Sequence, residues 1–440
     1  MTTKIKRGVS QPSLLAIAIS LGVASQAQAV DFRIGELQGQ FDSSLSIGAS
    51  WAVRNPDPAF ISNFNSLGKR GDSSSRTTDD NRLNFKKGET FSKIFKGVHD
   101  LELKYGDSGA FVRGKYWYDF ELKDEHRLFY DIDDAGRERA AKSSGATFLD
   151  SFVYHNYNLG ELAGNVRLGK QVVSWGESTF IGNSINSINP IDVAALRRPG
   201  AEVKEGLIPV NMFYLSQGLG ENVTAEMFYQ LEWDKSIVDN CGTFFGTDGI
   251  AQGCNDRLVV AGLDLPPGVS DNIGNPDANT NAYIPRLKDN DARNSGQYGL
   301  ALRWYVPEFN DTEFGAYAMN YHSRAPFLSV NQMTNVSGGL ASIRSARYFI
   351  DYPEDIRLYG LSFQTNVAGV SLGGEVSFRP NMPLQLNTAD LLAATTFSAT
   401  SPLISTGFAG RTPGADVNGY KRMPVTQAQV TATQFFDQVM

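Results

Sequence analysis

Cysteine, histidine and long apolar runs are scarce in this 440-residue sequence, which has only 2 Cys and 4 His. The histidines are scattered along the chain, at His99, His126, His155 and His322, so no metal-binding cluster is indicated. Beyond the N-terminus, no apolar segment approaches the roughly 18 residues that a membrane-spanning helix requires. A calcium loop is also excluded, because the motif that begins at Asp131 places Lys142 where an acid is needed. We therefore expect no metal site and no cofactor.

The N-terminus has the three parts of a secretory signal peptide. A basic region at residues 4–7 precedes an apolar region at residues 14–24 and a small-x-small cleavage site at residues 27–29. The apolar region is too short to span a bilayer, and no Cys follows the cleavage site to carry a lipid anchor. Removal of residues 1–29 changes the formal net charge from −7 to −10. An acidic, exported chain is not expected to bind nucleic acid.

Apolar and polar residues alternate with a period of two along much of the mature chain, which is typical of strands with one apolar face. In the first strand, residues 41–54, the outward apolar set is Phe41, Leu45, Ile47, Ala49, Trp51 and Val53. An aromatic residue near each end of this set matches the girdles of a transmembrane strand. Similar runs occupy residues 101–105, 110–122, 148–157, 166–172, 207–215, 223–233, 298–306, 314–322, 356–365, 370–378 and 425–436.

Tight turns alternate with long polar loops between these strands. The long loops are residues 55–93, 123–146, 174–205, 234–295, 324–354 and 380–424. A soluble β-sandwich has turns every 8–12 residues, roughly, whereas short turns on one side and long loops on the other are typical of an outer-membrane barrel.

The predicted fold class is all-β: an antiparallel transmembrane β-barrel with short periplasmic turns and long extracellular loops. We assign it to residues 30–440 and place it in the outer membrane of a Gram-negative bacterium, in contact with outer-membrane lipid. About twelve strands are present. The sequence ends at Met440 without the terminal aromatic residue common in bacterial barrels, so we expect a truncated chain and more strands in a full-length one.

Four sequence stretches resemble the exported proteobacterial proteins grouped as domain-of-unknown-function family 1302. They are RLGKQVVSWGESTFIGNSINSINPIDVAALRRPGAEVKEGLIPV at 167–210, NYHSR at 320–324, DIRLYGLSFQTN at 355–366 and GEVSFRPNMPLQLN at 374–387. The resemblance covers nearly all of the mature chain and implies an outer-membrane barrel, longer than this chain, with no assigned activity. It also implies two partners in the trafficking of a hydrophobic molecule: an exporter of the resistance-nodulation-division type and a second exported protein.

The connection between residues 165 and 210 has a dense charge cluster. Its charged residues include Asp192, Arg197, Arg198, Glu202, Lys204 and Glu205. Charged side chains that enter a lumen set its constriction and select solutes. The other interpretation is an external loop held by its own ion pairs, each of which contributes little on a surface.

Two further groups of residues have expected places in the barrel. The polar strand faces carry both signs of charge, which a dry core does not easily accommodate, so Arg113, Lys115, Glu226 and Glu232 are lumen candidates. Cys241 and Cys254 share one exported loop and are expected to form a disulfide, because a metal site would lack a nearby His.

The sequence predicts a porin-like outer-membrane channel or transport conduit for hydrophobic or amphipathic solutes. The alternative is a non-conducting surface binding or assembly protein that acts through its extracellular loops. An enzyme is not expected: His322 and Ser323 are neighbours on a predicted strand, so their side chains point to opposite faces and do not form a catalytic pair.

Overall fold

The structure is a computed structural model that describes residues 30–178, 181–246, 248–254, 257–263, 265–266 and 282–434. The predicted signal peptide, residues 1–29, lies outside the described residues. Residues 435 and 436, at the end of the last predicted strand, also lie outside them. Among the described residues, no helix is long and apolar enough to cross a bilayer.

Strands dominate the chain. In chain order they are β1 (Val30–Ile34), β2 (Leu37–Trp51), β3 (Thr90–Tyr105), β4 (Ser108–Asp119), β5 (Ser144–Leu159), β6 (Leu162–Gln171), β7 (Val210–Gly218), β8 (Val223–Gln230), β9 (Arg257–Ala261), β10 (Ala282–Pro285), β11 (Tyr298–Val306), β12 (Thr312–Tyr321), β13 (Phe327–Asn331), β14 (Arg347–Asp351), β15 (Ile356–Val367), β16 (Val370–Gln385), β17 (Asp416–Val417) and β18 (Tyr420–Gln434). The short α-helices are α1 (Asp80–Asn84), α2 (Phe120–Asp124), α3 (Val193–Arg197), α4 (Gly339–Ser345), α5 (Thr388–Thr395) and α6 (Pro402–Ser405).

A 13-stranded antiparallel sheet forms the body of the molecule, in the order β1-β2-β3-β4-β5-β6-β7-β8-β11-β12-β15-β16-β18. Its hairpins turn tightly at one end, with Gly106, Gly160 and Gly369 in the left-handed region of backbone conformation that favours glycine. The long connections lie at the other end. This arrangement confirms the predicted all-β, up-and-down antiparallel fold. Pairing between the edge strands β1 and β18 is not seen among the described residues.

All of the predicted strands belong to this sheet, but some of their ends and their number need correction. The strand β1 was missed, so the sheet has 13 strands rather than about twelve. The third strand begins at Thr90 rather than at 101, because the apolar residues Ile94 and Val98 stand at its buried positions and remove the polar alternation. The strand predicted at 207–215 begins at Val210, and β16 continues to Gln385, inside the predicted loop 380–424.

One face of the sheet, the outer face, is apolar and exposed. Hydrogen-bonded register places its residues in rows: Met227, Leu300, Ala318, Tyr359 and Phe378 in the first, Ala225, Leu302, Ala316, Leu361 and Val376 in the second, and Val223, Trp304, Phe314 and Phe363 in the third. Aromatic residues therefore flank a purely aliphatic row. Exposed side chains of this kind are costly in water and favourable in lipid, so the face has the pattern of a membrane-facing surface.

The described parts of the long connections other than the one between β6 and β7 fold into a cap over one end of the sheet. It contains the two-stranded sheet β10-β9 and the three-stranded sheet β14-β13-β17, with a core that includes Ile284, Val330 and Tyr348. Contacts run from one connection to the next: Arg76 donates to the carbonyl of Val260 (3.3 Å), and the Leu287 amide donates to that of Tyr348 (2.7 Å).

The described residues of the connection between β6 and β7, 172–178 and 181–209, are here called the inner segment and pack on the other face of the sheet, the inner face. The segment contacts strands near both ends of the sheet, because Ser44 of β2 donates to Glu202 (3.1 Å) and Gln427 of β18 to the carbonyl of Gly182 (3.2 Å). In a flat sheet β2 and β18 would lie roughly 50 Å apart. The segment folds back on itself, since the Asp192 amide donates to the Gly206 carbonyl (2.9 Å), so the sheet curls around it.

Candidate functional site

Local hydrogen bonds give the inner segment a fixed shape. Asn189 joins its two ends, because its side chain accepts from the Val173 amide (3.0 Å) and donates to the carbonyls of Gln171 (3.2 Å) and Ile208 (2.9 Å). Asp192 is the N-cap of α3 and accepts from the Ala195 amide (2.8 Å). The segment is therefore a folded element rather than a loose loop.

The first half of the inner segment is an apolar anchor. Its side chains Val173, Trp175, Ile185 and Ile188 form one buried cluster with residues of β7, β8, β11, β12 and β15. Inner-face glycines permit this close approach: a Cβ at Gly299 would lie 2.8 Å from the Trp175 ring, and one at Gly360 would lie 2.7 Å from Ile185. At about 1.5–3 kcal/mol per buried large side chain, this packing holds the first half firmly against the inner face.

The second half is held by buried ion pairs to the opposite strands. Lys115 of β4 contacts Asp192 (3.1 Å), and both side chains are 3% exposed. Lys96 of β3 pairs with Glu205 in an equally buried contact. Such pairs are net stabilising only weakly, but removal of one partner leaves a buried charge and is strongly destabilising. Asp192 and Glu205, two of the predicted constriction residues, are therefore anchors of the segment.

The two arginines of the charge cluster contact different surroundings. Arg197 pairs with Asp239, and its guanidinium lies 4.9 Å from the centre of the Phe245 ring. Arg198 donates to the carbonyls of Ala140 (2.7 Å) and Lys142 (3.1 Å) and stacks on Trp117. These arginines join the inner segment to the cap and to the base of β5.

Glu202 is the most accessible acid of the cluster. Its carboxylate accepts from Ser44 and contacts Lys204 (3.0 Å), and its side chain is 40% exposed. Burial raises the pKa of this carboxyl, but the Lys204 ammonium and the Ser44 hydroxyl outweigh that effect, so its pKa lies below the ordinary value. Glu202 and Arg197 are therefore the ones that a passing solute could reach among the five constriction candidates Asp192, Arg197, Arg198, Glu202 and Glu205.

The predicted lumen residues fall into different places. Arg113 bridges strands, with two bonds to Asp100 (2.8 Å each) and one to Asp150 (3.1 Å). Glu226 accepts from Arg303 (2.8 Å) and from the Trp175 indole (2.7 Å).

Lys115 lies on the inner face, as described above, whereas Glu232 lies beyond the end of β8. There Glu232 accepts from the side chain of Asn211 (2.7 Å). Asn211 stands between the buried residues Val210 and Met212 on β7, so it belongs to the opposite face of that strand. Strand β8 ends at Gln230, so the alternation that predicted an inner-face position for Glu232 no longer applies.

Several inner-face residues were not singled out from the sequence. Lys96 lies between the predicted loop 55–93 and the predicted strand 101–105, and Arg303 and Glu313 form an ion pair (2.7 Å) across β11 and β12. Arg379, almost fully buried, donates to Tyr321 (2.9 Å) and to Ser187 (3.1 Å) of the inner segment. Strand alternation alone places these residues on a face, but nothing in the sequence reveals that the inner segment covers that face.

Cys241 and Cys254 form a disulfide with their Cα atoms 5.8 Å apart. His322 does not contact Ser323, because its ring nitrogens bond the Ser295 carbonyl (2.9 Å) and the Asp355 amide (3.0 Å). The Ser323 hydroxyl donates to the Ala325 carbonyl (2.9 Å). These contacts leave the His322–Ser323 pair without the geometry of a nucleophile and base.

The model of a family described as "Protein of unknown function (DUF1302)" matches residues 11–440. A search of curated proteins finds no match. Two solved structures resemble the chain weakly. OccAB1 of Acinetobacter baumannii is 12% identical, with 81% of this chain and 68% of that chain covered and a TM-score of 0.27. A mutant of the ferric enterobactin receptor PfeA of Pseudomonas aeruginosa is 9% identical, with 82% and 51% covered and a TM-score of 0.27.

Proposed function

The chain belongs to the DUF1302 family, whose description assigns no function, and we propose that it is an outer-membrane conduit in which the inner segment controls the passage of solutes. The observation that carries this proposal is the placement of a charged, folded segment against the inner face of a curled sheet with an apolar outer face. A segment in that position narrows any passage enclosed by the sheet.

The unequal attachment of the two halves supports a role in controlling passage. The first half shares a hydrophobic cluster with five strands. The second half contacts β3 and β4 through two ion pairs and leaves Leu196 and Val203 exposed, the latter at 84%. A segment fixed at one side and held by separable ion pairs at the other is suited to widening a passage without unfolding the sheet.

The solute class of this proposal is hydrophobic or amphipathic. Exposed apolar side chains on the second half, beside Glu202 and Lys204, offer such a solute both apolar and charged contacts. An exporter of the resistance-nodulation-division type and a second exported protein, expected from the family resemblance, stay predictions; co-purification after cross-linking in cells tests them.

Conductance measurements test the conduit. We expect the refolded protein to give discrete conductance steps in planar bilayers. Glu202→Gln alone should shift the reversal potential in a salt gradient toward anion selectivity, and Arg197→Gln alone should shift it toward cation selectivity, because each variant removes one accessible charge of the segment. Asp72→Asn, an exposed acid of the cap, is the matched control and should leave the potential unchanged. A silent bilayer would overturn the conduit, and an unshifted potential would remove the inner segment from selectivity.

A surface binding or assembly function is the second candidate, and the folded cap favours it. The cap has its own core and a disulfide, and it exposes Phe60 and Val336 at 62% and 60%. Capture of a cell-surface partner by the refolded protein, lost in Phe60→Ser with Val336→Ser, would support this function if bilayers stay silent.

A further inference from the structure

A second site lies on the inner face nearer the tight turns, where Arg167 of β6 stands among aromatic rings. Direct strand pairing places Tyr154, Arg167 and Tyr214 in one row across β5, β6 and β7. The guanidinium carbon lies 5.1 Å from the centre of the Tyr214 ring and 5.7 Å from that of Phe152. Arg167 is thus flanked by two aromatic faces at cation–π distance.

The side chain of Arg167 is fixed but not neutralised. Its Nε donates to Asn165 (2.9 Å), and Asn165 in turn donates to Asn156 (2.7 Å). Within the described part of the chain, no carboxylate forms an ion pair with Arg167. Two other inner-face arginines do have carboxylate partners: Arg113 pairs with Asp100 and Asp150, and Arg303 pairs with Glu226 and Glu313. Arg167 therefore has terminal N–H groups that are available to an anion.

Space for a ligand adjoins this row. An open cavity of about 510 Å³ at the turn end is lined by residues that include Asn156, Asn165 and Ser216. Phe111 extends the aromatic surface, since its ring centre lies 5.6 Å from that of Phe152. Asp107 also lines this cavity. Two other acids of the inner face are already engaged, with Glu102 bonded to Tyr154 (2.8 Å) and Glu226 bonded to Arg303 (2.8 Å). They therefore compete little for the free edge of the guanidinium.

We propose that Arg167 and Phe152, backed by the buried Tyr214 ring, form a binding site for an amphipathic carboxylate, with the guanidinium on the carboxylate and the Phe152 and Phe111 rings on the apolar body. A planar guanidinium matches a carboxylate with two parallel hydrogen bonds. Aromatic faces supply contact area with little loss of conformational freedom. The role of this site in transport rests on the proposed conduit and names its solute class, whereas binding itself does not depend on flux.

Three probes with one ring system test the site: 2-naphthoate, 2-naphthylmethanol and 2-naphthylmethylammonium. Titration calorimetry on the refolded protein should show the naphthoate binding most tightly. Arg167→Gln should weaken naphthoate binding about 10-fold or more, the effect of one charge-assisted contact, with little change for the alcohol. Arg167→Lys should recover part of the loss. Lys104→Gln removes a cation near the same end, already paired with Glu102, and should have little effect.

The outcomes separate this site from the conduit. Equal naphthoate affinity in Arg167→Gln and the unmodified protein, or tighter binding of the ammonium probe, would overturn the carboxylate site. Silent bilayers combined with Arg167-dependent naphthoate binding would reject the conduit and leave the site in place. Folding of each variant is checked by the heat-dependent gel migration that folded barrels show.

Discussion

Lys115 and Asp192 illustrate how one residue pair fixes the inner segment. The ammonium and the carboxylate are 3.1 Å apart and almost wholly buried, and Asp192 also caps α3. The charge patterns of the sequence identified both residues but assigned them to separate groups, a lumen wall and a constriction loop. The two residues are 77 positions apart in the sequence, and strand alternation carries no information about contacts between residues so far apart.

Loss of Lys115 should therefore release the second half of the inner segment. In Lys115→Met, Asp192 becomes a buried, unpaired anion, which costs about 3–5 kcal/mol. The expected result is faster hydrogen–deuterium exchange in residues 190–209. Adding Asp192→Asn should restore much of the protection, because Asn keeps the helix cap without the charge.

The control for this experiment is Lys104→Met. Lys104 lies on β3 of the same β3–β4 hairpin, but its side chain is 52% exposed in its pair with Glu102. Its replacement should therefore lower the free energy of unfolding by less than about 1 kcal/mol. Unchanged exchange in Lys115→Met, or a double variant as unprotected as the single one, would contradict the anchoring role.

At the scale of the element, strands were predictable and the cap was not. A strand such as β11, with Tyr298, Leu300 and Leu302 exposed on one face, can be recognised from the alternation of residues along its own sequence. The strands β9, β10, β13, β14 and β17 are only 2–5 residues long and lie in regions predicted as loops. They depend on packing between distant connections, such as the Arg286–Tyr348 bridge, and short segments carry too little periodicity to reveal it.

The stability of the cap depends on pH through Asp248. Burial, with the Asp80 carboxylate next in effect, raises the pKa of Asp248 well above its ordinary value. The folded cap therefore binds a proton more tightly than the unfolded chain. Its stability is greatest below the unfolded pKa of about 3.9 and falls as the pH rises to the folded pKa.

Asp248→Asn should consequently stabilise the cap at pH 8 and have a smaller effect at pH 5. Asn keeps the acceptor for the Gly242 amide (3.3 Å) without the charge. Hydrogen–deuterium exchange of residues 241–254, compared between variant and unmodified protein at each pH, measures the difference. Asp72→Asn, at an acid with a 57% exposed side chain, should show no such pattern. Faster exchange in Asp248→Asn at pH 8 would be evidence against a destabilising charge.

For the whole molecule, the outer face decides whether the sheet belongs in a bilayer. On β2, Phe41 and Trp51 are exposed at 38% and 59% and lie ten positions apart, with Leu45 and Ile47 exposed between them. Ten residues rise roughly 34 Å along a strand, or roughly 26 Å along the normal for a tilt near 40°. That height matches the apolar band of an outer-membrane barrel, about 25 Å. The apolar outer face could be predicted from the sequence because it depends only on the two-residue period of each strand.

A charge in the middle of this band should be costly only if lipid surrounds it. Leu302 lies in the aliphatic row, flanked by rows that contain Tyr359 and Trp304. Leu302→Arg should destabilise protein refolded in lipid vesicles by about 2–4 kcal/mol, as for arginine at a bilayer midplane. Urea titration followed by tryptophan fluorescence measures the loss.

Leu219→Arg makes the same substitution at an exposed leucine, 56% accessible, beside the β7–β8 turn. There the arginine stays in water, so the expected change is within about 0.5 kcal/mol. Two variants of equal stability would mean that the outer face does not meet hydrocarbon. The aromatic rows would then require a protein partner rather than lipid to cover them, because so large an apolar surface is not stable in water alone.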